Sequence, residues 1–202
     1  MKEVVLNNLL DLIIKYKNYD KTKLLEIKYG LEVLYLTITK FIVISIITLL
    51  LGIFKEFVLL FFIYGILRTT GFGLHANNSK DCYIISIIIY ILFPLLLKNL
   101  HIEELYLLIT SIISLIIIII FSPADTEKRP LINKKKRIIL KIITSIISIV
   151  YIILIFIIKS NYYKNILLFS LILEALAVNP ISYKLLGLRY NNHKAYNQKG
   201  VK

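Results

Sequence analysis

The stretch LLITSIISLIIIIIF, at residues 107–121, decides the fold class because it contains no charged residue. A second stretch, IILKIITSIISIVYIILIFII at residues 138–158, is equally apolar except for Lys141. Apolar helices of this length match the hydrocarbon core of a bilayer, where backbone groups can bond only to one another. Neither stretch alternates apolar and polar residues as the strands of a membrane barrel do. The sequence therefore predicts an all-α integral membrane protein.

The composition of the whole chain supports that class. Of its 202 residues, 58% are hydrophobic and 18% are charged, and the mean hydropathy is +0.78. About six transmembrane helices are predicted from apolar segments at residues 38–54, 57–68, 83–97, 105–121, 138–158 and 165–179. The second and third segments are short for a bilayer. Either their helices continue into the polar stretch between them, or that stretch is recessed toward the bilayer.

The chain is predicted to have three regions. Residues 1–37 should form amphipathic helices at the cytoplasmic membrane surface, because their apolar residues recur at helical spacing. Residues 38–179 should form the six-span domain, and residues 180–202 a basic cytoplasmic tail.

The distribution of charge indicates a membrane orientation and no nucleic-acid partner. The net charge is +13, but the bases lie at the ends of hydrophobic runs and not on one phosphate-binding face. With the N-terminus inside, 20 of the 25 Lys and Arg residues lie in segments 1–40, 68–82, 122–137 and 180–202, and 4 lie outside. The positive-inside rule therefore predicts that both termini and the 68–82 loop are cytoplasmic.

The titratable residues give few candidates for a site. Cys82 is the only cysteine, so no disulfide can form within the chain. One Cys and three scattered His residues have no zinc-site spacing, so we expect no metal and no cofactor. The sequence around His101 and His193 contains no pattern of residues that would support a catalytic or metal site. Lys141 and Glu174 lie at similar depth in the last two spans, which favours an ion pair between them.

The polar stretch RTTGFGLHANNSKDC, at residues 68–82, is the most informative part of the chain. A cysteine nucleophile needs a base to form its thiolate, and His75 precedes Cys82 by seven residues. On one continuous helix the two side chains would share a face about 10 Å apart. Direct contact therefore requires a break in the helix between them. The alternative is that neither residue is catalytic. Cys82 would then be an inert small hydrophobic residue, and His75 would be an anchor at the membrane interface.

Two motifs resemble those of the AgrB family, the accessory gene regulator protein B membrane endopeptidases. The first motif comprises Arg68, Gly71, Gly73, His75–Ala76, Cys82 and Ser86. The second comprises Pro123, Asp125, Arg129 and Pro130. The resemblance covers nearly the full length of the chain, including the six apolar segments. The chain departs from the family in having GFG in place of consecutive glycines, and Leu74 where an aromatic residue is frequent before the histidine.

This resemblance implies a thiol protease of the bacterial plasma membrane that acts in quorum sensing and virulence regulation. Its substrate would be an AgrD-like autoinducing-peptide precursor, and the protein would be a homodimer. Cys82 would form a thioester with the precursor, with His75 as base, before ring closure to a thiolactone or lactone. Asn77 or Asp81 could orient His75. The oxyanion could be bound by backbone amides near Gly73 or Cys82, or by Arg68. Gly71 and Ser86 are further candidate supports.

A basic cluster follows the second motif. It comprises Lys128, Arg129, Lys134, Lys135, Lys136 and Arg137. It is interpreted first as an anchor for anionic membrane lipid, and second as a dock for the acidic tail of the precursor. Asp125 favours a turn or helix cap, and the resemblance makes it a candidate for the site.

Two non-enzymatic functions remain open on the sequence alone. Six short spans with few charges could form a small transporter or exporter of peptides. The chain could also be a membrane scaffold for signalling partners. Replacing Cys82 by Ala separates the protease from both, because only the protease would lose precursor cleavage.

Overall fold

The structure, a computed structural model, describes residues 2–16, 19–74, 79–127 and 130–194. Within these ranges the chain contains helices and no β-strand, which confirms the predicted all-α class. The helices are α1 (Lys2–Tyr16), α2 (Lys21–Leu50), α3 (Phe54–Gly71), α4 (Ser79–Ile87), α5 (Phe93–Lys98), α6 (Glu104–Phe121), α7 (Lys134–Ile157), α8 (Asn161–Val178) and α9 (Pro180–Leu185). A π-helical turn, Ile88–Leu92, joins α4 to α5. The chain divides into two compact units, Met1–Gly52 and Ile53–Lys202.

The first unit consists of α1 packed against α2. Asp20 caps α2, because its carboxylate accepts a hydrogen bond from the Lys23 amide at 3.2 Å. From there α2 runs without interruption to Leu50. The predicted boundary at residues 37 and 38 therefore falls inside a continuous helix.

In the second unit the central element is α8, which packs against α3, α5, α6 and α7. Eleven of its 18 residues are buried, more than in any other described helix. Its Leu167, Leu168 and Leu171 form one core with Leu107, Ile118 and Ile155 from α6 and α7. The burial of α8 by other helices explains its less apolar sequence, which includes Asn165 and Glu174.

The two outer helices α6 and α7 bury small polar residues and expose isoleucines. On α6 the buried positions are 107, 111, 114 and 118, and on α7 they are 144, 148, 151 and 155. Four of these are serine or threonine: Ser111, Ser114, Thr144 and Ser148. Small residues on the buried face and large apolar residues on the exposed face are typical of helix packing in membranes.

Four helical segments in the described part of the chain are long and apolar enough to cross a membrane. They are Lys23–Leu50, Lys80–Lys98, Glu104–Phe121 and Lys134–Ile157. Each of the six predicted apolar segments lies within or largely within helix, but α3 and α8 are not among these four. The helices and the membrane class are therefore confirmed, whereas a count of six spans stays a prediction.

The polar stretch between the two short predicted spans contains the end of one helix and the start of another. Helix α3 continues to Gly71, so it is 18 residues long and rises about 27 Å. Residues 72–74 are not helical, and α4 begins at Ser79. Helix α3 therefore extends into the polar stretch. This is the first of the two explanations given for the short predicted spans.

Residues 180–194 are folded onto the second unit. Asn179 caps α9 by accepting a hydrogen bond from the Ile181 amide at 2.9 Å. Tyr183 is almost completely buried and packs with Ala124 and Val178. A helical turn follows at 192–194. The first part of the predicted basic tail is thus integrated into the fold.

Candidate active site

Cys82 lies in the first turn of α4 and is half-buried. Ser86, one turn later, donates from its hydroxyl to the Cys82 carbonyl oxygen at 2.7 Å. Tyr90, one turn further, lies in the π-helical turn. The three side chains share one face because they are spaced four residues apart. π-Helical turns are often found at functional sites.

Tyr90 connects the cysteine helix to α3. Its ring packs edge-on against Phe57, with 5.7 Å between ring centroids, and lies 5.7 Å from the ring of Phe61. Its hydroxyl lies within electrostatic range of the Cys82 thiol and of the Arg68 guanidinium. Tyr90 was not among the residues predicted from the sequence, although its spacing of eight residues from Cys82 could have indicated it.

Arg68 holds the loop that follows α3. Its two terminal nitrogens donate to the carbonyl oxygens of Phe72 and Leu74. The flat, forked guanidinium suits such a double contact. In this structure Arg68 is therefore occupied by the backbone ahead of His75. Its candidate role as an oxyanion donor stays a prediction.

The same loop is fixed by three backbone hydrogen bonds. The Gly73 amide donates to Ala124 at 2.7 Å, and the Ala124 amide donates to Gly71 at 3.1 Å. The Leu74 amide donates to the Ala177 carbonyl oxygen at the end of α8, at 2.8 Å. We name residues 71–74 the glycine loop. Because the Gly73 amide already has an acceptor, it too is engaged in holding the loop, not available to an oxyanion.

Close packing explains why two positions of the glycine loop have no side chain. A methyl group at Gly71 would overlap the carboxylate of Glu174. One at Gly73 would lie 2.5 Å from the Ala177 carbonyl oxygen, and the Gly73 φ of 94° disfavours other residues. Phe72 also has a positive φ, 62°, which is a strained conformation for a residue with a side chain.

Glu174 is completely buried beside the glycine loop. It lies within electrostatic range of Arg68, and its carboxylate oxygens accept no hydrogen bond from the described residues. The predicted ion pair between Lys141 and Glu174 is wrong, because Lys141 donates to the Ile120 carbonyl oxygen at 3.3 Å. The positions of the two charges along their helices gave their depth in the membrane. They did not show which face of each helix carries the charge.

Asp125 is buried. Its carboxylate accepts hydrogen bonds from its own loop and from residues 192–193. One carboxylate oxygen accepts from the Asn192 amide at 2.9 Å. The other accepts from the His193 amide at 2.8 Å, from His193 Nδ1 at 3.1 Å and from the Leu131 amide at 3.3 Å. Asp125 therefore joins distant segments of the chain, which is more than the turn or cap predicted for it.

His193 lies close to the charged side chains of Asp125 and Arg137, contrary to the prediction from the sequence. Burial lowers its pKa, as does Arg137, while the Asp125 carboxylate opposes this shift. Tyr183 donates to the Asp125 carbonyl oxygen at 3.2 Å, and burial raises the pKa of this phenol. Both groups are therefore in the neutral, hydrogen-donating form near neutral pH.

The structure places the remaining predicted residues in different surroundings. Asp81 is exposed in the first turn of α4. Lys134, Lys135 and Lys136 are exposed at the start of α7, whereas Arg137 is half-buried. Four of the predicted residues lie outside the described ranges: His75, Asn77, Lys128 and Arg129.

The described parts of both sequence motifs meet in one place. Gly71 and Gly73 bond to Ala124, which lies between Pro123 and Asp125 of the second motif. Arg68 holds the same loop through the carbonyl oxygens of Phe72 and Leu74. Cys82 shares a helix face with Tyr90, whose ring packs against Phe57 and Phe61 of α3. Glu174, Ala177 and Asn192 complete the surroundings and were not predicted, because they carry no local motif.

Fold and site together define a helical membrane protein with a glycine loop held ahead of a cysteine helix. Residues 6–178 match the AgrB family, described as Accessory gene regulator B, and the chain belongs to that family. This confirms the resemblance found in the sequence. The chain therefore has its place in the accessory gene regulator system.

Curated proteins with similar sequences carry the same family description. The chain is 32% identical over 177 residues to a putative AgrB-like protein of Listeria welshimeri, covering 88% of this chain and 87% of that protein. It is 30% identical over 179 residues to a putative AgrB-like protein of Clostridium acetobutylicum, covering 89% and 86%. It is 35% identical over 172 residues to accessory gene regulator protein B of Staphylococcus aureus (strain Newman), covering 84% and 88%. No solved structure matches the chain.

Proposed function

We propose that the protein is a membrane cysteine endopeptidase of quorum sensing that removes the C-terminal tail of an AgrD-like autoinducing-peptide precursor. Cys82 is the nucleophile and His75 its base. The observation that carries the proposal is the rigid attachment of the glycine loop. Arg68, Ala124 and Ala177 all hold the segment that leads directly into His75. A catalytic base needs such a fixed position relative to its nucleophile.

The reaction begins with proton transfer from the Cys82 thiol to His75. The resulting thiolate attacks a backbone carbonyl carbon of the precursor, and a tetrahedral oxyanion forms. When this intermediate collapses, the carbon–nitrogen bond breaks and the protonated His75 gives its proton to the leaving amine. The tail departs, and the remaining precursor is held on Cys82 as a thioester. Cys82 lies in the first turn of α4, where the helix dipole favours a negative group.

A second acyl transfer releases the product. A cysteine thiol or serine hydroxyl within the precursor gives its proton to His75 and attacks the thioester carbonyl. The bond from the carbonyl carbon to the Cys82 sulfur breaks, and the Cys82 thiolate takes the proton back from His75. The product is a thiolactone or lactone ring. Little free energy is lost when the new bond is also a thioester, provided that water does not intercept the intermediate. The aromatic contacts of Tyr90 with Phe57 and Phe61 form an apolar wall on this side of the cysteine helix.

Three further features belong to the same proposal. The site faces the cytoplasm, because the positive-inside count places residues 68–82 there. The exposed Lys134, Lys135 and Lys136 contact anionic lipid and receive the acidic tail of the precursor. The protein acts as a homodimer, as the family resemblance implies.

Replacement of the nucleophile is the direct test. The variants are Cys82→Ser and His75→Ala, with His101→Ala as the matched histidine control. His101 pairs with Asn161 at 2.8 Å, at a position distant in sequence from the site. Each is reconstituted in vesicles with a precursor peptide that has an amphipathic start, a central Cys or Ser and an acidic tail.

We expect the parent and His101→Ala to cleave the precursor and to form a hydroxylamine-sensitive acyl adduct. Cys82→Ser and His75→Ala should lose cleavage by about 10³-fold or more while inserting normally. Unchanged cleavage in Cys82→Ser would exclude Cys82 as the nucleophile. If the parent protein transported the peptide without cleaving it, the chain would be an exporter and not a protease.

A further inference from the structure

Residues 183–194 form a segment that reaches Asp125 from the C-terminal end of the chain. Tyr183 and the Asn192 side chain donate to the Asp125 carbonyl oxygen at 3.2 and 3.3 Å. The Asn192 and His193 amides donate to its carboxylate. The contacts thus come from both ends of the segment and converge on a single residue of the α6–α7 loop.

We propose that residues 183–194 act as a clamp that positions the glycine loop through Asp125, with Asp125, Asn192 and His193 as positioning residues. The inference rests on the proposed function, because the loop it positions carries His75. We name this segment the C-terminal clamp. It takes no part in the chemical steps themselves.

The carboxylate of Asp125 is held by donors in place of water. Its side chain is only 2% exposed, so it has almost no solvent to compensate its charge. Four donor contacts, from Leu131, Asn192 and His193, take that place. A buried charge needs such compensation, and donors that lose their acceptor are left unpaired. The clamp and the α6–α7 loop therefore stabilise each other.

The clamp can act on the site because Asp125 is adjacent to Ala124. Ala124 accepts from the Gly73 amide and donates to the Gly71 carbonyl oxygen. A shift of Asp125 by a fraction of an ångström moves Ala124, and with it the glycine loop. The connection from His193 to Gly73 runs through contiguous hydrogen bonds and one peptide unit, so it is a physical path between clamp and loop.

The clamp lies beyond the part of the chain that the family description covers. The family match ends at residue 178, whereas all clamp residues follow it. Asp125 belongs to the matched region, but its partners Asn192 and His193 do not. The family relationship therefore does not assign the clamp a role.

The transmission from clamp to loop is tested by hydrogen exchange of the full-length protein in vesicles. The variant is Asp125→Asn, which keeps the size of the side chain but places an amide NH₂ against N–H donors. The control is Asp20→Asn, because Asp20 is also an acidic acceptor of a backbone amide but belongs to the other unit. We expect faster exchange in peptides covering 183–194 and in those covering 71–74. Faster exchange at 183–194 alone, or in neither peptide, would overturn the clamp.

Cleavage kinetics test the positioning role. We expect Asp125→Asn and His193→Ala to lower kcat for the precursor by on the order of 10- to 10²-fold, with little change in KM. His193→Asn should recover much of the rate, because its amide nitrogen can replace Nδ1 as donor to Asp125. A loss confined to KM, or the same loss in His193→Asn as in His193→Ala, contradicts a positioning role.

The two proposals fail in different ways. Cys82 is the only cysteine, so its alkylation rate by a maleimide reports on the site without any precursor. If Cys82→Ser cleaves normally, the proposed function is wrong, yet loop exchange and alkylation can still respond to Asp125→Asn. If Cys82→Ser is inactive while Asp125→Asn matches the parent in exchange, alkylation and cleavage, only the clamp is wrong.

Discussion

Gly71 has no side chain, and the completely buried Glu174 carboxylate lies against it at the last residue of α3. Gly65, two turns earlier on the same helix, has no atom within 4 Å of the place where a methyl group would sit. The two positions therefore separate the effect of close packing from the general effect of glycine in a helix.

We expect Gly71→Ala to destabilise the protein by about 1–3 kcal/mol, because Glu174 or the helix must move to admit the methyl group. Gly65→Ala should be neutral or stabilise by up to about 1 kcal/mol, since alanine favours helix more than glycine does. Thermal unfolding in detergent and precursor cleavage are the measurements. Equal behaviour of the two variants would show that Glu174 does not restrict this position.

The shifted pKa of His193 predicts that the stability of the protein depends on pH through the C-terminal clamp. Burial and Arg137 lower the pKa of His193, with a smaller contribution from Lys194, while Asp125 raises it. The pKa in the folded state is thus below the unfolded value of about 6.5. Protonation therefore favours the unfolded state, so stability is full above about pH 6.5 and falls as the pH decreases toward the folded pKa.

The measurement is the midpoint of thermal unfolding between about pH 7.5 and pH 5. The parent should lose more stability over this range than His193→Asn, whose amide donates to Asp125 without titrating. Parallel pH profiles for the two proteins, or a parent that gains stability in acid, would contradict the expectation.

At the level of single residues, the sequence indicated the polar ones but not their partners. Gly71 and Gly73 were identified as members of the first motif. Glu174 and Ala177, which pack closely against them, lie about a hundred residues later in the chain. A pairing over such a distance depends on how the helices pack, and no local pattern encodes it.

The buried faces of α6 and α7 each carry a seam of small polar side chains. Ser148 is completely buried on α7, and its hydroxyl donates to the Thr144 carbonyl oxygen at 2.8 Å. The neighbouring Ile149 is 43% exposed. The same spacing of serines was visible in the sequence, where a separation of three to four residues could have predicted the buried face.

Replacing Ser148 by Leu tests this seam. We expect Ser148→Leu to destabilise the helix packing by about 1–3 kcal/mol, because a large side chain does not fit a close helix contact. Ile149→Leu on the exposed face should have little effect. Thermal unfolding in detergent measures both. Similar midpoints for the two variants would mean that the seam tolerates large residues.

For whole helices, apolar composition predicted existence better than extent. Both 105–121 and 138–158 were predicted as apolar segments and lie in or largely in α6 and α7. Helix α3 extends to Gly71, and the hydroxyls of Thr69 and Thr70 bond back to the carbonyl oxygens of Ile66 and Leu67. These hydroxyls therefore have partners within the helix, whereas composition alone would have ended the helix before them.

On the scale of the whole molecule, the sequence predicted a helical membrane protein of the correct family. It did not predict that α8 would lie at the centre of the second unit. The segment 165–179 was predicted as one of six apolar spans, and most of α8 is covered by protein. Glu174 and Asn165 are compatible with this interior, where Asn165 donates to the carbonyl oxygens of Leu97 and Leu100.

Two residues that hold the glycine loop and Asp125 in place, Ala177 and Asn192, come late in the sequence. This order has a consequence for biosynthesis. A ribosome makes Gly73 and Cys82 about a hundred residues before it makes Ala177 and Asn192. A partly translated chain therefore already carries the thiol, but it lacks the acceptor for the Leu74 amide and the donors for Asp125. On the proposed function, newly made chains would become competent proteases only after residues 177–193 have been made, when the earlier helices are already in the membrane.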